Sequence, residues 1–374
     1  MQKTIHRFNK YIRLFCILVL TLALGLSAAL PAYALETDEE KADRILSEMT
    51  LKEKIAQMMV VSMPSDKAAS IQSKYQFGGY ILFARDFEKR NKKSFKRLIK
   101  SCQKKSDIKM LIAVDEEGGT VVRASYYRKF RKSQFRSPRQ VYRRGGYKAI
   151  INDTKAKDKF LKSLYINTNF GPVADVPYKK SNFMYDRAFS TKSSRTVKFI
   201  RKSVAQMDKD DMICALKHFP GYGGNGDTHG SIIRDKRSIK KFKRRDLKPF
   251  KAGISSGADM IMVSHTIVNA FDRKRPASLS PAVMKYIRKD MKFGGVIITD
   301  GLGMKGVTNF AGSQGNAAVK AVRAGNDMIC ATGDYKKCYN ALLKAARDGR
   351  ISKSRIDSSV KRILLMKIKR GIIK

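Results

Sequence analysis

The 374-residue sequence has few cysteines and few histidines, and the cysteine shortage excludes some kinds of site. Five cysteines are present, and Cys16 lies in an N-terminal apolar stretch. The spacing of the other four matches neither a disulfide scaffold nor a metal site. Cys214 and Cys330 fall within apolar runs, so we expect them to be buried thiols. The sequence predicts no metal and no cofactor.

Acidic residues are also scarce. There are 32 Asp and Glu residues against 78 Lys and Arg residues, which gives a formal net charge of +46. Such a charge favours an anionic partner. The cations are spread over every predicted surface helix and no motif for reading bases is present, so we expect no nucleic-acid partner. An anionic cell-wall polymer fits better, and a basic surface that only keeps the protein soluble is an equal alternative.

The N-terminal segment predicts a secretory signal peptide over residues 1–34. A basic stretch without acids comes first, an almost wholly apolar run over 14–30 follows, and small residues then mark a cleavage site after Ala34. The alternative is an uncleaved membrane anchor, because the apolar run has nearly the length that spans a bilayer. We expect cleavage, a secreted or cell-wall-associated protein, and no membrane contact for residues 35–374.

Eight short apolar runs recur along residues 35–374 and alternate with longer, Lys-rich amphipathic stretches. Buried strands that alternate with helices indicate a parallel sheet, and eight strands close a (β/α)8 barrel. Helix starts support this reading, because Thr50 with Glu53 forms a capping box and Ser280 precedes Pro281. No linker interrupts the series, so we predict one α/β domain, a TIM-type barrel. The predicted strands are 55–62, 79–84, 110–114, 166–173, 212–216, 259–264, 296–299 and 327–331.

Polar residues follow five of these runs, at the end of the strands where barrels of this type carry their chemistry. A barrel without a function at this rim has no need of charges after so many strands. We expect Asp175 and His265 to support the site structurally rather than to bind ligand. The five groups are residues 115–119 after the third run, Asp175 after the fourth, Lys217 and His218 after the fifth, His265 after the sixth and Asp300 after the seventh.

Six motifs occur in a fixed order: MTLKEKI at 49–55, AVDEEGG at 113–119, NFGPVADV at 169–176, DRAF at 186–189, the stretch 217–229, and TDGLGM at 299–304. Together they resemble glycoside hydrolase family 3, in the β-N-acetylhexosaminidase (NagZ-like) branch. The resemblance covers nearly all of residues 35–374. It implies hydrolysis of terminal β-linked N-acetylglucosamine, usually from peptidoglycan fragments.

The resemblance also implies roles for single residues. Asp300 would be the nucleophile of a retaining mechanism and would attack the anomeric carbon. The acid/base of this branch is a histidine paired with an aspartate two residues earlier, which assigns these roles to His229 and Asp227. Glycines surround the pair, so we expect a mobile loop. The family's sugar-hydroxyl contacts match Asp115, Arg123, Arg187, Lys217 and His218, and such charged side chains suit a small polar ligand.

Plainer explanations exist for the same residues. Asp300 also fits a helix N-cap, Asp227 with His229 also fits an ordinary loop pair, and the two arginines also fit surface salt bridges. Tyr222 stands where relatives often have a histidine, and the interval from Lys217 to His229 is one residue shorter than in some of them. We therefore expect a different loop geometry. The basic segment 126–148 either extends the substrate groove toward an anionic glycan or is a solvated loop.

Four functions fit these observations. The leading one is a secreted, retaining exo-β-N-acetylglucosaminidase that acts on cell-wall glycan or muropeptides. A phosphorylase is the second, because a histidine acid/base does not repel phosphate and a basic rim attracts it. A β-glucosidase of the same family is disfavoured, since its acid comes from elsewhere. A non-catalytic wall-binding barrel has no need of Asp227, His229 and Asp300 together.

Overall fold

The computed structural model describes residues 6, 11, 12, 14–16, 36–228 and 230–374, and its contacts divide the chain into the units 1–41 and 42–374. In the first unit, residues 6, 11, 12 and 14–16 are helical and exposed. The rest of the predicted signal peptide lies outside the described residues, so its cleavage stays a prediction. Among the helices that the structure describes, none combines the length and the apolar character needed to cross a bilayer.

The second unit is built around a closed barrel of eight parallel strands, as predicted. Going round the barrel, the strand order is β1-β10-β9-β7-β5-β4-β3-β2, and β6 and β8 form a separate two-stranded sheet. The first and last strands meet at the seam, where Met59 pairs with Ile329. The strands are β1 (Met59–Ser62), β2 (Gly79–Leu82), β3 (Leu111–Val114), β4 (Thr168–Asn169), β5 (Ile213–Phe219), β6 (Arg234–Asp235), β7 (Met260–Val263), β8 (Ile267–Val268), β9 (Val296–Gly301) and β10 (Met328–Ala331).

Amphipathic helices cover the barrel. Helix α5 buries Phe95, Ile99 and Cys102, which recur at helical spacing on one face. The predicted capping box is present, since the Thr50 side chain accepts from the Glu53 amide, and the Ser280 side chain accepts from the Val283 amide. The helices are α1 (Asp38–Glu48), α2 (Leu51–Gln57), α3 (Ala68–Tyr75), α4 (Ala84–Glu88), α5 (Lys92–Lys104), α6 (Pro138–Ser163), α7 (Ser193–Lys209), α8 (Ile239–Arg244), α9 (Leu247–Ile254), α10 (Pro281–Lys285), α11 (Lys305–Ala311), α12 (Gln314–Ala324), α13 (Tyr335–Arg347) and α14 (Lys353–Lys369).

Most predicted strands agree with the structure to within about two residues, but two of them were longer than observed by more than that. Residues 55–57 end helix α2 instead of starting the first strand, because the helix that is capped at Thr50 continues through them. Their apolar run is the buried face of a helix. Strand β4 has only two residues against the predicted 166–173. Beyond Asn169 the chain still contacts β5, but only through separate bonds such as the parallel bridge between Val173 and Lys217.

Two other strands run further than predicted. The apolar run of β5 ends at Leu216, but the strand continues through Phe219. Likewise, β9 continues through Gly301. Lys217, His218 and Asp300 therefore lie on strands and not in the loops after them. The polar side chains stay in the ladder because they have buried partners, which the apolar pattern of the sequence does not show.

Carboxylates at the amino ends of the strands tie neighbouring strands together. Asp259, just before β7, accepts from the Cys214 amide of β5 at 3.0 Å and from Arg370 Nε at 2.8 Å. Asp327, just before β10, accepts from the Ile297 amide of β9 at 2.9 Å. Both aspartates are buried, and Asp327 also forms ion pairs with Arg288, Arg355 and Arg362.

Candidate active site

An open cleft of about 860 Å³ lies at the carboxyl ends of the barrel strands. Strand β5 contributes Lys217 and His218 to its lining, and β9 contributes Asp300. Asp115 comes directly after β3, and the remaining two residues lie on loops. The structure thus brings six predicted site residues to one cleft: Asp115, Arg123, Arg187, Lys217, His218 and Asp300.

A buried charge cluster forms one wall of the cleft. The Lys217 ammonium lies 2.5 Å from Asp115 Oδ1 and 2.7 Å from Glu117 Oε1. Arg187 donates to the same Glu117 carboxylate with two nitrogens, at 2.7 and 3.0 Å. Burial alone would raise the pKa of Glu117, but Lys217 and Arg187 outweigh it and hold that pKa well below its usual range. Glu117 therefore stays ionised and fixes the direction of both cations.

Asp175 holds His218 in one orientation. Its Oδ2 accepts from the His218 backbone amide at 3.1 Å and lies 2.8 Å from Nδ1 of the ring. Because a buried carboxylate favours the proton on Nδ1, the other nitrogen is left to the cleft side, where Arg187 Nη2 lies 3.3 Å away. Asp175 itself is fully buried. This is the supporting position expected for Asp175.

The Asp300 carboxylate sits at the base of the cleft. Among the described residues, its side chain accepts one hydrogen bond, from the Gly301 amide at 2.7 Å. Burial alone would raise the pKa of Asp300, but His218 and His265 outweigh it, with help from that amide and from Lys217, so the pKa is lowered. Asp300 is therefore a carboxylate at neutral pH, the form that a nucleophile needs.

His265 holds the backbone next to Asp300 in place. Its ring is fully buried, with Nδ1 2.7 Å from the Ser278 hydroxyl and Nε2 3.1 Å from the Gly301 carbonyl oxygen. The carbonyl can only accept, so Nε2 carries a proton, and the Ser278 hydroxyl can pair with Nδ1 whether or not that nitrogen is protonated. His265 thus holds the residue next to Asp300, in the supporting role expected of it.

Arg123 and Arg187 differ in how far the protein satisfies them. Arg187 does form a salt bridge, but a buried one, with Glu117. Arg123 lines the cleft, and its Nε has no hydrogen-bond partner among the described residues. Its Nη1 donates only weakly, to the Val122 carbonyl at 3.3 Å. The buried Nε is not exposed to the cleft, but the terminal nitrogens of this guanidinium keep donors that a polar ligand can use.

The loop after β5, residues 221–231, carries Asp227, which is exposed. His229 lies outside the described residues, so its part in the site stays a prediction. The start of the loop is anchored, because Arg237 donates to the Gly221 carbonyl at 2.8 Å and Asn225 donates to Asp235 at 2.6 Å. The mobility predicted for this loop stays a prediction.

The structure also shows how the possible metal ligands and the cysteines are arranged. Within residues 36–228 and 230–374, no group of three or more His, Cys, Asp and Glu side chains could hold a metal ion. Cys214 and Cys330 are buried free thiols, as expected, and Cys330 lines the cleft. Burial raises the pKa of the Cys330 thiol well above its usual value, so the thiol is not ionised at neutral pH.

Known proteins resemble this chain in sequence. The model of the glycosyl hydrolase family 3 N-terminal domain matches residues 50–366. A β-hexosaminidase from Idiomarina loihiensis is 34% identical over 268 residues, which cover 68% of this chain and 76% of that protein. β-Hexosaminidase A from Pseudoalteromonas piscicida is 30% identical over 324 residues, which cover 79% of this chain but 54% of that protein.

A solved structure agrees with these matches. The family 3 β-N-acetylglucosaminidase from Paenibacillus sp. str. FPU-7 superposes with a TM-score of 0.79 at 27% identity, over 87% of this chain and 63% of that one. The chain thus spans less than two thirds of two of these three relatives. The match over residues 50–366 and the identity to β-hexosaminidases show that the chain belongs to glycosyl hydrolase family 3, as its six motifs predict.

Proposed function

We propose that the chain is a secreted, retaining exo-β-N-acetylglucosaminidase that removes terminal β-linked N-acetylglucosamine from cell-wall glycan or muropeptides. Family membership supports glycoside hydrolysis, and the relatives named β-hexosaminidase support an N-acetylhexosamine as the sugar. The observation that carries the proposal is the ionised Asp300 in one cleft with Lys217, His218 and Arg187.

The sugar is held by groups that are oriented before it arrives. Glu117 fixes Lys217 and Arg187, and Asp175 fixes His218, so these polar groups need not reorganise when hydroxyl groups bind. Asp300 then attacks the anomeric carbon and forms a covalent glycosyl-enzyme, which water hydrolyses with retention of configuration. Asp115 and Arg123 complete the set of sugar contacts in this proposal.

The acid/base of the proposal is His229, supported by Asp227. A proton from the imidazole would go to the oxygen of the leaving group in the first step, and the imidazole would take a proton from water in the second. Asp227 would stabilise the imidazolium. Their position on the loop after β5 supports this assignment, since that loop begins two residues beyond the end of the strand that carries the sugar-binding Lys217 and His218.

The proposal is tested with purified protein and 4-nitrophenyl N-acetyl-β-glucosaminide, beside the corresponding β-glucoside. We expect hydrolysis of the first substrate, little of the second, and a β-configured first product by NMR. A phosphorylase is the second candidate, because Arg85 and Lys305 also line the cleft and could attract phosphate. A rate that depends on phosphate, with a sugar phosphate as product, would replace hydrolysis by phosphorolysis. An inverted product would overturn the retaining mechanism.

The basic surface is proposed to hold the protein on anionic wall polymers. The net charge of +46 supports long-range attraction to such a partner. Binding of the protein to isolated walls should be released by salt, since the Debye length is about 8 Å at physiological ionic strength. Walls stripped of their anionic polymer should bind much less. Binding that changes with neither salt nor stripping would refute this part of the proposal.

A further inference from the structure

Tyr222 makes an unusual set of contacts between strand β5 and the loop that follows it. The side chain is 4% exposed although it belongs to a loop. Its hydroxyl lies 2.6 Å from the Thr228 hydroxyl, and Thr228 is fully buried. Two buried hydroxyl groups at this distance form a strong hydrogen bond, whichever of them donates.

The other end of Tyr222 is bound to the sugar-binding part of the site. Its backbone N–H donates to Asp175 Oδ1 at 2.7 Å, while Oδ2 of the same carboxylate holds His218. The rings of Tyr222 and His218 also meet edge to face, with centroids 5.4 Å apart. Tyr222 is therefore linked to His218 twice, through a shared carboxylate and through direct ring contact.

Thr228 is buried, whereas the described residues around it in the loop are exposed. Gly226, Asp227, Gly230 and Ser231 are all exposed, whereas Thr228 is fully buried. Its backbone is held as well as its side chain. A Cβ placed on Gly306 of α11 would lie 2.8 Å from the Thr228 carbonyl oxygen, so this part of the loop packs directly on that helix.

Thr228 stands between Asp227 and His229 in the chain. A loop that contains glycines at 221, 223, 224, 226 and 230 has many accessible conformations, and ordering it for catalysis costs conformational entropy. A side-chain bond at the central residue restricts the backbone on both sides of it. We propose that Tyr222 and Thr228 are a positioning pair that orients the Asp227–His229 acid/base and couples it to the sugar-binding His218; this rests on the proposed function.

The proposal also explains the departure at position 222. The sequence resembles its family closely around Lys217 to Gly221, but it has a tyrosine where a histidine is common. Tyrosine carries its hydroxyl further from the backbone than histidine carries its ring nitrogens. In this chain that reach is used to contact Thr228.

The test removes each hydroxyl. Tyr222→Phe and Thr228→Val should each lower kcat/KM by about tenfold on an alkyl N-acetyl-β-glucosaminide, whose leaving group must be protonated. On the 4-nitrophenyl substrate the loss in kcat/KM should stay within about threefold, because kcat/KM reports only the first step and that group leaves without a proton. KM should change little. The double variant should be no worse than the worse single variant, because both changes remove the same bond.

Two matched variants separate positioning from general damage. Thr228→Ser keeps the hydroxyl and should keep wild-type selectivity between the two substrates. Tyr80→Phe also removes a buried tyrosine hydrogen bond, from its hydroxyl to the Ala68 carbonyl at 2.8 Å, but in β2 and away from the loop. It should lower activity on both substrates equally or not at all.

The outcomes distinguish this inference from the proposed function. If Tyr222→Phe behaves like Tyr80→Phe, or if Thr228→Ser is as poor as Thr228→Val, the positioning pair is wrong. A selective loss in His229→Ala would then leave the acid/base assignment intact. If His229→Ala itself shows no selectivity, both ideas fail together, because there is no acid/base for Tyr222 and Thr228 to position.

Discussion

Both ends of the barrel contain buried carboxylates, but the two sets differ in how fully protein partners satisfy their hydrogen-bonding capacity. At the amino ends, Asp259 and Asp327 are closed by strand amides and by arginines. At the carboxyl ends, Asp300 accepts a single hydrogen bond from the described residues, and Arg123 has a donor without a described partner. Both of these groups line an open cleft.

The difference separates charges that hold the barrel together from charges that act on a ligand. A buried charge is costly unless protein partners compensate it, and a fully compensated charge has no capacity left for another molecule. The groups at the carboxyl ends keep that capacity because their neighbours, Glu117 and Asp175, carry the structural bonds instead. Burial alone therefore does not indicate function. An unsatisfied buried atom does not indicate it either, since Nε of Arg355 at the amino ends also lacks a partner among the described residues. Asp300 and Arg123 differ from it because they line the cleft.

The largest effect is expected at Asp300. Asp300→Asn should reduce turnover by roughly four orders of magnitude or more, because the covalent intermediate can no longer form. The thermal midpoint of unfolding should stay close to that of the wild type, since the lost group has few structural bonds. A 2-deoxy-2-fluoro or 5-fluoro sugar should label the peptide that contains Asp300. Labelling of a different carboxylate, or near-normal turnover, would contradict the assignment.

Next in size is the effect of the proposed acid/base. His229→Ala should lower kcat/KM, which reports the first step, by about 10²–10⁴-fold on substrates with poor leaving groups and much less on activated aryl substrates. Azide should restore part of the activity, because it attacks the glycosyl-enzyme without a general base. Asp227→Ala should show the same selectivity more mildly. Equal losses on both kinds of substrate, with no rescue by azide, would assign the proton donor to another residue.

Asp327→Ala tests the opposite end of the barrel. It leaves three arginines without their carboxylate, so the free energy of unfolding should fall by about 3–5 kcal/mol. Urea denaturation measures the loss. The kcat of the folded variant should stay within about twofold of wild type at a permissive temperature. Asp348→Ala is the control, because its solvent-exposed pair with Lys344 should contribute little to stability. A loss of kcat without a loss of stability would mean that Asp327 acts in catalysis and not in holding the barrel together.

The smallest effect concerns Asp158 on α6, a buried carboxylate that belongs to neither end. As a carboxylate its two oxygens have no hydrogen-bond partner among the described residues, whereas the protonated carboxyl can hydrogen-bond to Asp210. Burial and the nearby Asp210 outweigh Lys157 and raise the pKa of Asp158 to about 8. The folded state therefore holds this proton more tightly than the unfolded state, and the free energy of unfolding falls as pH rises from about 4 to about 8.

Asp158→Asn should remove that slope. At pH 8 the variant should be more stable than the wild type by on the order of 1–3 kcal/mol, and near pH 4 the difference should shrink. Denaturation at several pH values measures both. An advantage that does not change with pH would mean that Asp158 titrates normally in the folded protein.

The barrel and the family could be predicted because their signals are local. Each strand is a short apolar run, and each of the six motifs is contiguous, so no knowledge of distant contacts is needed. The predicted strand ends were wrong where polar residues continue a strand because distant residues pair with them. At β5 the apolar run stops at Leu216, but Lys217 and His218 continue the strand because acids from two other loops meet them.

The site could be predicted only in part, for the same reason. The position of Asp300 after an apolar run identified it, but nothing local distinguishes Glu117 from the neighbouring Glu116. The structure separates them, since Glu117 pairs with Arg187 and Lys217 far along the chain, while Glu116 accepts from the amides of its own loop. Similarly, Tyr222 could be noticed as a departure from the family, but its bond to Thr228 could not be inferred from sequence.

The seam between β1 and β10 determines how late in folding the barrel can close. Met59 must find Ile329, so the sheet cannot close until nearly the whole chain is available. Contacts between such distant residues form slowly, because a long loop must be ordered before they contribute stability. A growing chain thus exposes open strand edges throughout synthesis. If the chain is secreted as proposed, this delay would keep it unfolded enough for export, and the barrel would close on the far side of the membrane.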